Sequence, residues 1–303
     1  MKVSALVMTY NHARFIGQAL DSVLMQDVNF AYEIIISEDC STDGTREYVV
    51  AFQQKHPDIT RLLLSEHNLH SNEIVSRGIQ AARGEYIALL DGDDYWTSAD
   101  KLQRQVDFLD SHPECTICFH NARAFCEDRS REPWNWTPAR QKELSTLEDL
   151  WMDNFIATCS TLFRNGLIEP FPAWYDAMFP ITDWPLHLLN AEHGKIGYID
   201  EVMGAYRYHQ GGLYSPLSER AKQDIMLTFY QTMNRNFEYR YDKTIRTALS
   251  TYFFEWAEEY ATRGDWEQAR VCFLNAWSER RFNKHIRATK LLLLGLKVFT
   301  TRS

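Results

Sequence analysis

The sequence lacks several features that define other classes of protein. It has no apolar run long enough to cross a bilayer, and no small-residue cleavage site accompanies the strand pattern at its start. With 32 Lys and Arg against 41 Asp and Glu, it also lacks the basic field that general nucleic-acid binding requires. We therefore expect a cytoplasmic protein, without a nucleic-acid partner, that meets any anionic ligand through local groups.

Cysteine is scarce as well, since six residues in a chain of 303 do not make a disulfide scaffold. Five of the six lie in or beside apolar runs, where a reduced thiol packs as a small hydrophobic group. Cys115 and Cys118 form a Cys-x-x-Cys pair near His120 and Cys126, a spacing that also occurs in zinc and redox sites. The segment "TICFHNARAF" is typical of a strand and no second pair completes a ligand set, so packing is the favoured interpretation.

Strand and helix patterns alternate along the first hundred residues. The β-rich runs lie at 3–9, 32–37, 59–65 and 86–90, and apolar residues recur at helical spacing in 13–26 and 73–82. Short links between these segments imply right-handed crossovers. The sequence therefore predicts an α/β fold with a mainly parallel central sheet flanked by helices.

The pattern changes near residue 216. From there it is almost entirely helical, with few Gly or Pro and many aromatic residues. One tetratricopeptide-like unit can be traced, whereas a repeat stack needs at least three. We expect an α/β domain over 1–215 and an α-helical C-terminal subdomain over 216–303.

Polar side chains follow three predicted strands at the points where the strands end. These residues are Asn11, Glu38, Asp39, Asp91, Asp93 and Asp94. Parallel strands end at one edge of a sheet, and ligands bind beyond that edge. Helix capping explains one carboxylate in a turn, but not three within four residues. An Asp in an apolar interior needs a partner to stay charged, so this edge is predicted to hold a positive group.

Four segments carry a resemblance to a known family. They read "VMTYNHARFIGQALDSVLMQ", "IIISEDCSTDGT", "AARGEYIALLDGDDYW" and "DKLQRQVDFLDSHPE". In this order and spacing they resemble the family-2 glycosyltransferases with the GT-A fold, a Rossmann-like α/β architecture. These are inverting enzymes that transfer sugars from nucleotide diphosphates, and the resemblance covers roughly residues 3–209.

The resemblance implies that two of the turns bind the nucleotide. Thr9, Tyr10 and Asn11 match the turn that contacts the nucleotide, and Asp39 matches a carboxylate that accepts a hydrogen bond from the base. Glu38 stands where the family commonly has Asp, and we assign it to the same donor site. Tyr10 is interpreted as stacking on the base, although a tyrosine at a strand end is as often part of packing.

The Asp-Gly-Asp element matches the family's site for the diphosphate and its metal ion. A divalent cation held by carboxylates stabilises the charge that the leaving diphosphate gains. By resemblance, Asp93 binds Mg²⁺ or Mn²⁺ directly, Asp91 lies by the ribose as a further metal-ligand candidate, and Gly92 permits a close backbone turn. His209 matches a histidine that completes the site, and Arg207 is assigned to phosphate, with pairing to an acid as the alternative.

Asp183 matches the position of the base in an inverting transfer. That base removes the proton of the acceptor hydroxyl as its oxygen attacks the anomeric carbon. Thr182 replaces the Glu typical of the family, and a lone Asp before a helix is also a common N-cap. Trp96 and Trp184 are interpreted as acceptor-binding surfaces, with buried packing as the alternative.

The implied function is metal-assisted transfer of a hexosyl or N-acetylhexosaminyl group from a nucleotide diphosphate, with uridine diphosphate preferred. The implied acceptor is a glycan or a lipid-linked glycan, as in polysaccharide biosynthesis for the cell envelope. Thr182 and His70 depart from the family pattern, which leaves open a sugar-nucleotide-binding protein without transfer activity. A nucleotidyltransferase-like protein is a further alternative, although such proteins usually have a Gly-rich loop where this chain has Tyr-Asn-His.

Residues 280–303 contain seven Lys or Arg and no acidic residue. The leucine run 291–294 is too short to span a bilayer, but a basic amphipathic segment is typical of proteins that lie on an anionic membrane surface. We expect peripheral contact with the inner face of the cytoplasmic membrane. The alternative is a terminal helix that docks its leucines on the protein.

Overall fold

Residues 1–213, 217–279, 283, 286 and 288–300 are described by the computed structural model. The chain divides into two units. The first contains Met1–Leu147 and Asn154–Glu219, and the second contains Glu148–Asp153 and the residues from Arg220 onward. The short segment Glu148–Asp153 therefore belongs with the helical residues and not with its neighbours in sequence.

The described part of the first unit is built on a sheet of ten strands. Their order is β3-β2-β1-β4-β9-β6-β10-β5, with β7 paired to β6 and β8 to β10. The strands are β1 (Val3–Thr9), β2 (Tyr32–Glu38), β3 (Thr60–Leu64), β4 (Tyr86–Asp91), β5 (Tyr95–Trp96), β6 (Cys115–Cys126), β7 (Trp134–Asn135), β8 (Leu144–Ser145), β9 (Leu162–Arg164) and β10 (Lys195–Tyr208).

Strands β3, β2, β1 and β4 pair in parallel, as do β6 and β10. Strand β1 is buried along its whole length, which explains its nearly continuous aliphatic sequence. The short strand β9 runs antiparallel between β4 and β6 and so joins the two parallel groups. The predicted α/β fold with a mainly parallel sheet is confirmed.

Helices cover the sheet of the first unit. They are α1 (Ile16–Leu24), α2 (Thr45–Lys55), α3 (Glu73–Ala81), α4 (Lys101–Ser111), α5 (Leu147–Met152, which continues into the second unit), α6 (Ala173–Asp176) and α7 (Asp183–Ala191). In α1 the buried apolar residues are Ile16, Ala19, Leu20 and Val23, a spacing that puts them on one helix face. This face packs into the same core as β1, β2 and β4.

The pattern of "CSTLFR", residues 159–164, predicts a strand, but only part of this segment forms one. Thr158–Ser160 is a 3₁₀ turn, and only Leu162–Arg164 pairs as strand β9. The Ser160 hydroxyl donates a hydrogen bond to the Ala157 carbonyl at 2.7 Å, and the Ser160 N–H donates to the same oxygen at 2.9 Å. These local bonds compete with sheet pairing, which therefore starts later.

The cysteines of the Cys-x-x-Cys pair lie in strand β6, as packing predicts. Cys115 and Cys118 are buried in the hydrophobic core, and all six cysteines are free thiols. Burial raises the pKa of Cys115 to about 11 and that of Cys118 further, so both are neutral thiols.

The second unit contains α8 (Glu219–Asn236), which begins at the boundary, α9 (Asp242–Arg263), α10 (Trp266–Glu279) and α11 (Ala288–Thr300). Helix α9 ends at Gly264, whose φ of 80° makes the left-handed turn into α10. Phe254, Phe273 and Leu294 belong to the core shared by α9, α10 and α11. No described helix is both long enough and apolar enough to cross a membrane.

Candidate active site

The candidate site begins where strands β1, β2 and β4 end. In the sheet register, Thr9 pairs with Glu38 and Met8 pairs with Asp91. The Asp39 N–H donates to the Thr9 carbonyl at 3.0 Å, and the Gly92 N–H donates to the Met8 carbonyl at 2.7 Å. The turns after β2 and β4 are therefore fixed on either side of the end of β1.

Gly92 allows the turn after β4 to approach the turn after β1. A Cβ atom at this position would lie 2.7 Å from Thr9 Oγ1 and 2.9 Å from His12 Nδ1. Side chains do not tolerate such short contacts, so glycine is required for this approach. This approach places the carboxylate of the next residue, Asp93, beside the His12 ring.

Asp93 lies between two histidines. Its Oδ2 atom is 2.9 Å from His209 Nε2 and 3.6 Å from His12 Nε2. One ligand atom from each residue lies within 4.8 Å of the other two, and no other such group of three occurs in the described part of the chain. We call these three residues the His-Asp-His cluster.

His12 was not among the residues predicted from sequence. It follows β1 directly, at the same sheet edge as the predicted carboxylates, and this position is the signal that identifies it. His209 and Asp93 were predicted to bind metal, and they are in direct contact. The contact joins two residues that are 116 positions apart in the sequence.

The electrostatics of the cluster suit a divalent cation. Burial alone raises the pKa of Asp93, but the adjacent His12 and His209 outweigh that effect and lower it below its ordinary value. Burial lowers the pKa of His12, which favours the neutral imidazole, although Asp93 partly opposes this. An ionised carboxylate with neutral imidazole is a donor set that divalent metal ions accept, so the residues fit such an ion.

The other two carboxylates of this turn have different surroundings. Burial and the negative charges of Asp93 and Asp183 raise the pKa of Asp91 well above its ordinary value, and a hydrogen bond from Thr158 partly offsets this. Asp94 is buried and accepts a hydrogen bond from the Arg207 backbone N–H at 2.8 Å. Burial, with the negative charges of Asp93 and Asp91, raises the pKa of Asp94 too. Only Asp93 of the three faces the histidines.

Arg207 braces the turn that carries Asp93. Its Nε donates to the Asp93 carbonyl at 2.8 Å, and its Nη atoms donate to Glu127 at 2.6 Å and Gln18 at 2.8 Å. The guanidinium also lies 4.5 Å from the centroid of the Phe15 ring. All of these contacts of Arg207 are with protein groups. They agree with the alternative prediction, that Arg207 pairs with an acidic residue, here Glu127.

The turn after β1 is held by the segment after β2. Asn11 has a φ of 54°, its N–H donates to Ser41 Oγ at 2.9 Å, and its Oδ1 accepts the Thr42 N–H at 2.9 Å. Thr9 is buried, whereas Tyr10 is partly exposed. Tyr10 and the exposed Asn11 are thus the residues of this turn that are accessible to a ligand.

Glu38 and Asp39 are adjacent and both buried, but they have different partners. The Glu38 side chain is fully buried, where it accepts the Ser41 N–H at 2.5 Å and pairs with Arg46. It shapes the loop after β2 and has no surface for the donor, contrary to the prediction. Asp39 accepts the Leu69 N–H on Oδ1 at 2.9 Å and so holds the loop before α3 against the sheet edge.

Asp183 is the first residue of α7, and Thr182 is the N-cap. Its Oδ1 accepts the Trp184 N–H at 2.7 Å, and its Oδ2 accepts from Asn154 Nδ2 at 3.1 Å and from Thr158 Oγ1 at 3.5 Å. The Thr158 hydroxyl also lies within hydrogen-bonding reach of Asp91, and its one proton serves either carboxylate but not both at once. Asp183 and the Asp-Gly-Asp turn therefore belong to one site. No pattern in the sequence identifies Asn154 or Thr158.

Hydrogen bonds from Asn72 and Ser76 position the segment that leads to Asp183. The Asn72 amide donates to the Tyr175 carbonyl at 3.1 Å and to the Ile181 carbonyl at 2.8 Å. Ser76 donates to Asp176 Oδ1 at 2.9 Å. The start of α3 is thereby fixed to the chain just before the candidate base.

The two tryptophans interpreted as acceptor surfaces are buried, which agrees with the alternative of packing. Trp96 is 1% exposed, its Nε1 donates to the Cys159 carbonyl at 2.9 Å, and Lys101 Nζ lies 3.9 Å from its ring centroid. Trp184 is 3% exposed. Both rings fill space inside the protein, where burying aromatic area is most favourable.

The fold defines the class of protein. The structure is similar to S. aureus TarS 1-349 in complex with UDP-GlcNAc, with a TM-score of 0.60, 18% identity, and coverage of 94% of this chain and 93% of that one. It is also similar to the mannosyltransferase PcManGT from Pyrobaculum calidifontis in complex with GDP-Man and Mn²⁺, with a TM-score of 0.54, 16% identity, and coverage of 100% and 88%. At these identities the likeness establishes the fold, which is the GT-A fold.

The sequence then identifies the family. The model for glycosyl transferase family 2 matches residues 4–170, and the chain belongs to this family. An uncharacterized protein of Mycobacterium tuberculosis is 36% identical over 228 residues, which are 73% of this chain and 63% of that protein. The chain thus matches less than two thirds of the length of this relative.

Proposed function

We propose that the protein is an inverting glycosyltransferase that moves a sugar from a nucleoside diphosphate to a hydroxyl of a glycan or lipid-linked glycan. The observation that carries this proposal is the joining of Asp183 to the Asp-Gly-Asp turn through Thr158, beside the His-Asp-His cluster. A carboxylate able to accept a proton thus lies near a site suited to a cation. Family membership supports the reaction class, and UDP-hexose or UDP-N-acetylhexosamine is the proposed donor.

Asp93 and His209 would hold a divalent cation, Mg²⁺ or Mn²⁺, with Asp91 beside them. When bound, such an ion stabilises the negative charge of a diphosphate leaving group. Arg207 fixes the backbone of the turn through the Asp93 carbonyl. This bracing fixes the backbone from which the Asp93 side chain extends.

Asp183 is the proposed general base. The acceptor oxygen forms a bond to the anomeric carbon from the face opposite the diphosphate, and its proton passes to the Asp183 carboxylate. The bond from the anomeric carbon to the diphosphate oxygen breaks, and its electron pair leaves with the nucleoside diphosphate. Hydrogen bonds from Asn154 and the Trp184 N–H orient the carboxylate for this transfer.

The nucleotide is proposed to lie at the ends of β1 and β2, beside Thr9, Tyr10, Asn11 and Asp39. Asp39 uses Oδ1 for the Leu69 N–H, and its second oxygen is proposed to accept the ring N–H of the base. The partly exposed Tyr10 is proposed to stack on the base.

Calorimetric titration with UDP, dTDP and GDP, each with and without Mn²⁺, tests the donor site. We expect one nucleotide to bind in a metal-dependent manner and Asp93→Asn to lose that dependence. Asp58→Asn, which changes an exposed carboxylate, serves as the control. Metal-independent binding of every nucleotide would overturn the metal-assisted mechanism, and binding without transfer to any acceptor would favour a non-catalytic sugar-nucleotide-binding protein.

We also propose that α11 contacts an anionic membrane surface. Leu291, Leu294 and Val298 are buried in the helical unit, whereas Leu292, Leu293, Leu296 and Phe299 on the same helix are each more than half exposed. The segment 280–303 carries seven positive charges in a chain whose net charge is −9. Of this segment, residues 280–282, 284, 285, 287 and 301–303 lie outside the described residues. An exposed apolar face on a basic segment suits an anionic lipid surface.

Co-sedimentation with vesicles of phosphatidylglycerol and of phosphatidylcholine tests this contact. We expect binding to the anionic vesicles alone, and loss of that binding in Leu293→Glu with Leu296→Glu. Leu64→Glu, at an exposed leucine of the first unit, is the matched control. Equal sedimentation of the unmutated protein and both variants would rule out the membrane contact. If the protein instead dimerises with rising concentration, and the two glutamate substitutions in α11 abolish this, the exposed face of α11 binds a second copy of the chain.

A further inference from the structure

We propose that His12 is a third protein ligand of the divalent cation, and that it makes the site select Mn²⁺ over Mg²⁺. The inference rests on the proposed metal-assisted function and adds a residue that neither the Asp-Gly-Asp motif nor the histidine after β10 supplies. It concerns the His-Asp-His cluster formed by His12, Asp93 and His209.

The positions of the three ligand atoms suit a shared ion. Two ligand atoms bound at about 2.1 Å to one ion lie about 3 to 4.2 Å from each other, depending on coordination geometry. Asp93 Oδ2 lies 2.9 Å from His209 Nε2 and 3.6 Å from His12 Nε2. All three atoms lie within 4.8 Å of one another, so small side-chain rotations suffice to bring them to one ion.

The His12 ring is oriented with Nε2 toward Asp93. Its other nitrogen, Nδ1, lies 3.4 Å from Thr9 Oγ1 and faces the backbone of Gly92, where a Cβ would lie 2.9 Å away. A histidine that binds metal through one nitrogen commonly has the other held by a neighbouring polar group. Thr9 occupies that role here.

The backbone of His12 is fixed as well. Its N–H donates to Thr45 Oγ1 at 2.8 Å, and the next N–H, of Ala13, donates to Asp43 Oδ2 at 2.9 Å. Asp43 in turn accepts the Thr45 hydroxyl at 2.6 Å. The segment "STDGT" therefore holds the histidine in position before any ion binds, as a prepared ligand requires.

The ligand set determines which ion is favoured. Mg²⁺ is a hard ion that prefers oxygen ligands and retains bound water, whereas imidazole nitrogen suits first-row transition metals. One carboxylate and one imidazole discriminate weakly between these ions. A second imidazole, from His12, increases the preference for Mn²⁺, because Mg²⁺ gains little from replacing water by nitrogen.

Electron spin echo measurements on the unmutated protein with Mn²⁺ test the ligand directly. In the unmutated protein we expect echo modulation from two coordinated imidazole ¹⁴N nuclei. In each of the variants His12→Asn and His209→Asn we expect modulation from one such nucleus. His193→Ala, at an exposed histidine after α7, should keep both couplings. A single ¹⁴N coupling in the unmutated protein would overturn the assignment, and this measurement requires no variant to fold.

Calorimetric titration with Mn²⁺ alone and with Mg²⁺ alone tests the selectivity. We expect His12→Asn to weaken Mn²⁺ binding by about 10-fold to 100-fold and Mg²⁺ binding by about threefold or less, as loss of one nitrogen ligand predicts. Circular dichroism verifies that the variant is folded. Equal weakening for the two ions would contradict selection by His12.

Asp93→Asn separates failure of the inference from failure of the proposed function. If this variant loses both ions while His12→Asn keeps both, the metal site stands and His12 is not its ligand. If Asp93→Asn also keeps both ions, the metal-assisted function itself is wrong.

Discussion

Asp93 and Asp183 belong to one site but have opposite kinds of neighbour. Asp93 lies between two imidazoles, and His12 and His209 lower its pKa. Asp183 accepts hydrogen bonds from an amide, a hydroxyl and a backbone N–H, all of which are neutral. The first environment keeps a carboxylate ionised, as a metal ligand requires. The second fixes the orientation of a carboxylate, as the proposed base requires.

Asp183→Asn tests the base side of this comparison and should have the largest effect. An amide cannot accept the acceptor's proton, so kcat should fall by about 10³-fold, within the range for loss of a general base. Metal and nucleotide affinities, measured by calorimetry, should be unchanged because this residue acts in the transition state. Normal turnover, equal to that of the control Asp58→Asn, would show that Asp183 is not the base.

Asn154→Ala tests whether orientation matters on the base side. Loss of the Nδ2 donor at 3.1 Å from Asp183 should lower kcat by about 10-fold with KM unchanged, since misplaced catalytic groups slow the chemical step. Asn154→Asp should be worse, because it places a second negative charge beside the first. Steady-state kinetics and thermal melts distinguish this result from a general loss of stability. In that case KM and the melting temperature would change, while kcat per folded molecule would not.

Arg207→Lys tests the metal side. Lysine keeps the positive charge but cannot make the three separate contacts of the guanidinium, so the free energy of unfolding should fall by about 2 kcal/mol. Chemical denaturation without metal or nucleotide measures this loss. Arg140→Lys, at an exposed arginine, is the control. If nucleotide affinity falls while stability is unchanged, Arg207 binds phosphate and is not a brace.

Asp94→Asn should have the smallest effect and concerns the pH dependence of stability. Burial, with the charges of Asp93 and Asp91, raises the pKa of Asp94, so the folded protein binds this proton more tightly than the unfolded chain. Stability from this group is present at low pH and is lost as the pH rises from about 3.9 toward the raised pKa. Asparagine keeps an oxygen for the Arg207 N–H and carries no charge.

Denaturation of the metal-free variant across this pH range measures the effect. The loss of stability with rising pH should become shallower, and stability at pH 7 should rise by about 1 kcal/mol. Asp58→Asn should leave the slope unchanged. An unaltered slope in Asp94→Asn would show that the carboxyl is not protonated in the folded protein.

Much of the fold follows from local pattern. Each strand of the parallel group β3-β2-β1-β4 is a short apolar run bounded by polar turns, a pattern typical of strands in parallel sheets. Local pattern did not predict the 3₁₀ turn at Thr158–Ser160. There the Ser160 hydroxyl bonds to the Ala157 carbonyl, and the strand begins only at Leu162. Local pattern also left the placement of Trp96 open, because an amphipathic ring suits either a surface or a core and only packing decides between them.

The sequence by itself determined that carboxylates would meet at one edge of a parallel sheet. That result needs only the order of strands, because parallel strands deliver their carboxyl ends to the same side, whereas His209 was expected there from the family resemblance. Tertiary structure decided the role of each group: His12 and His209 flank Asp93, Asn154 and Thr158 hold Asp183, and Glu38 is buried against Arg46. The reason is physical, since charge state and accessibility depend on neighbours that packing brings from distant parts of the chain.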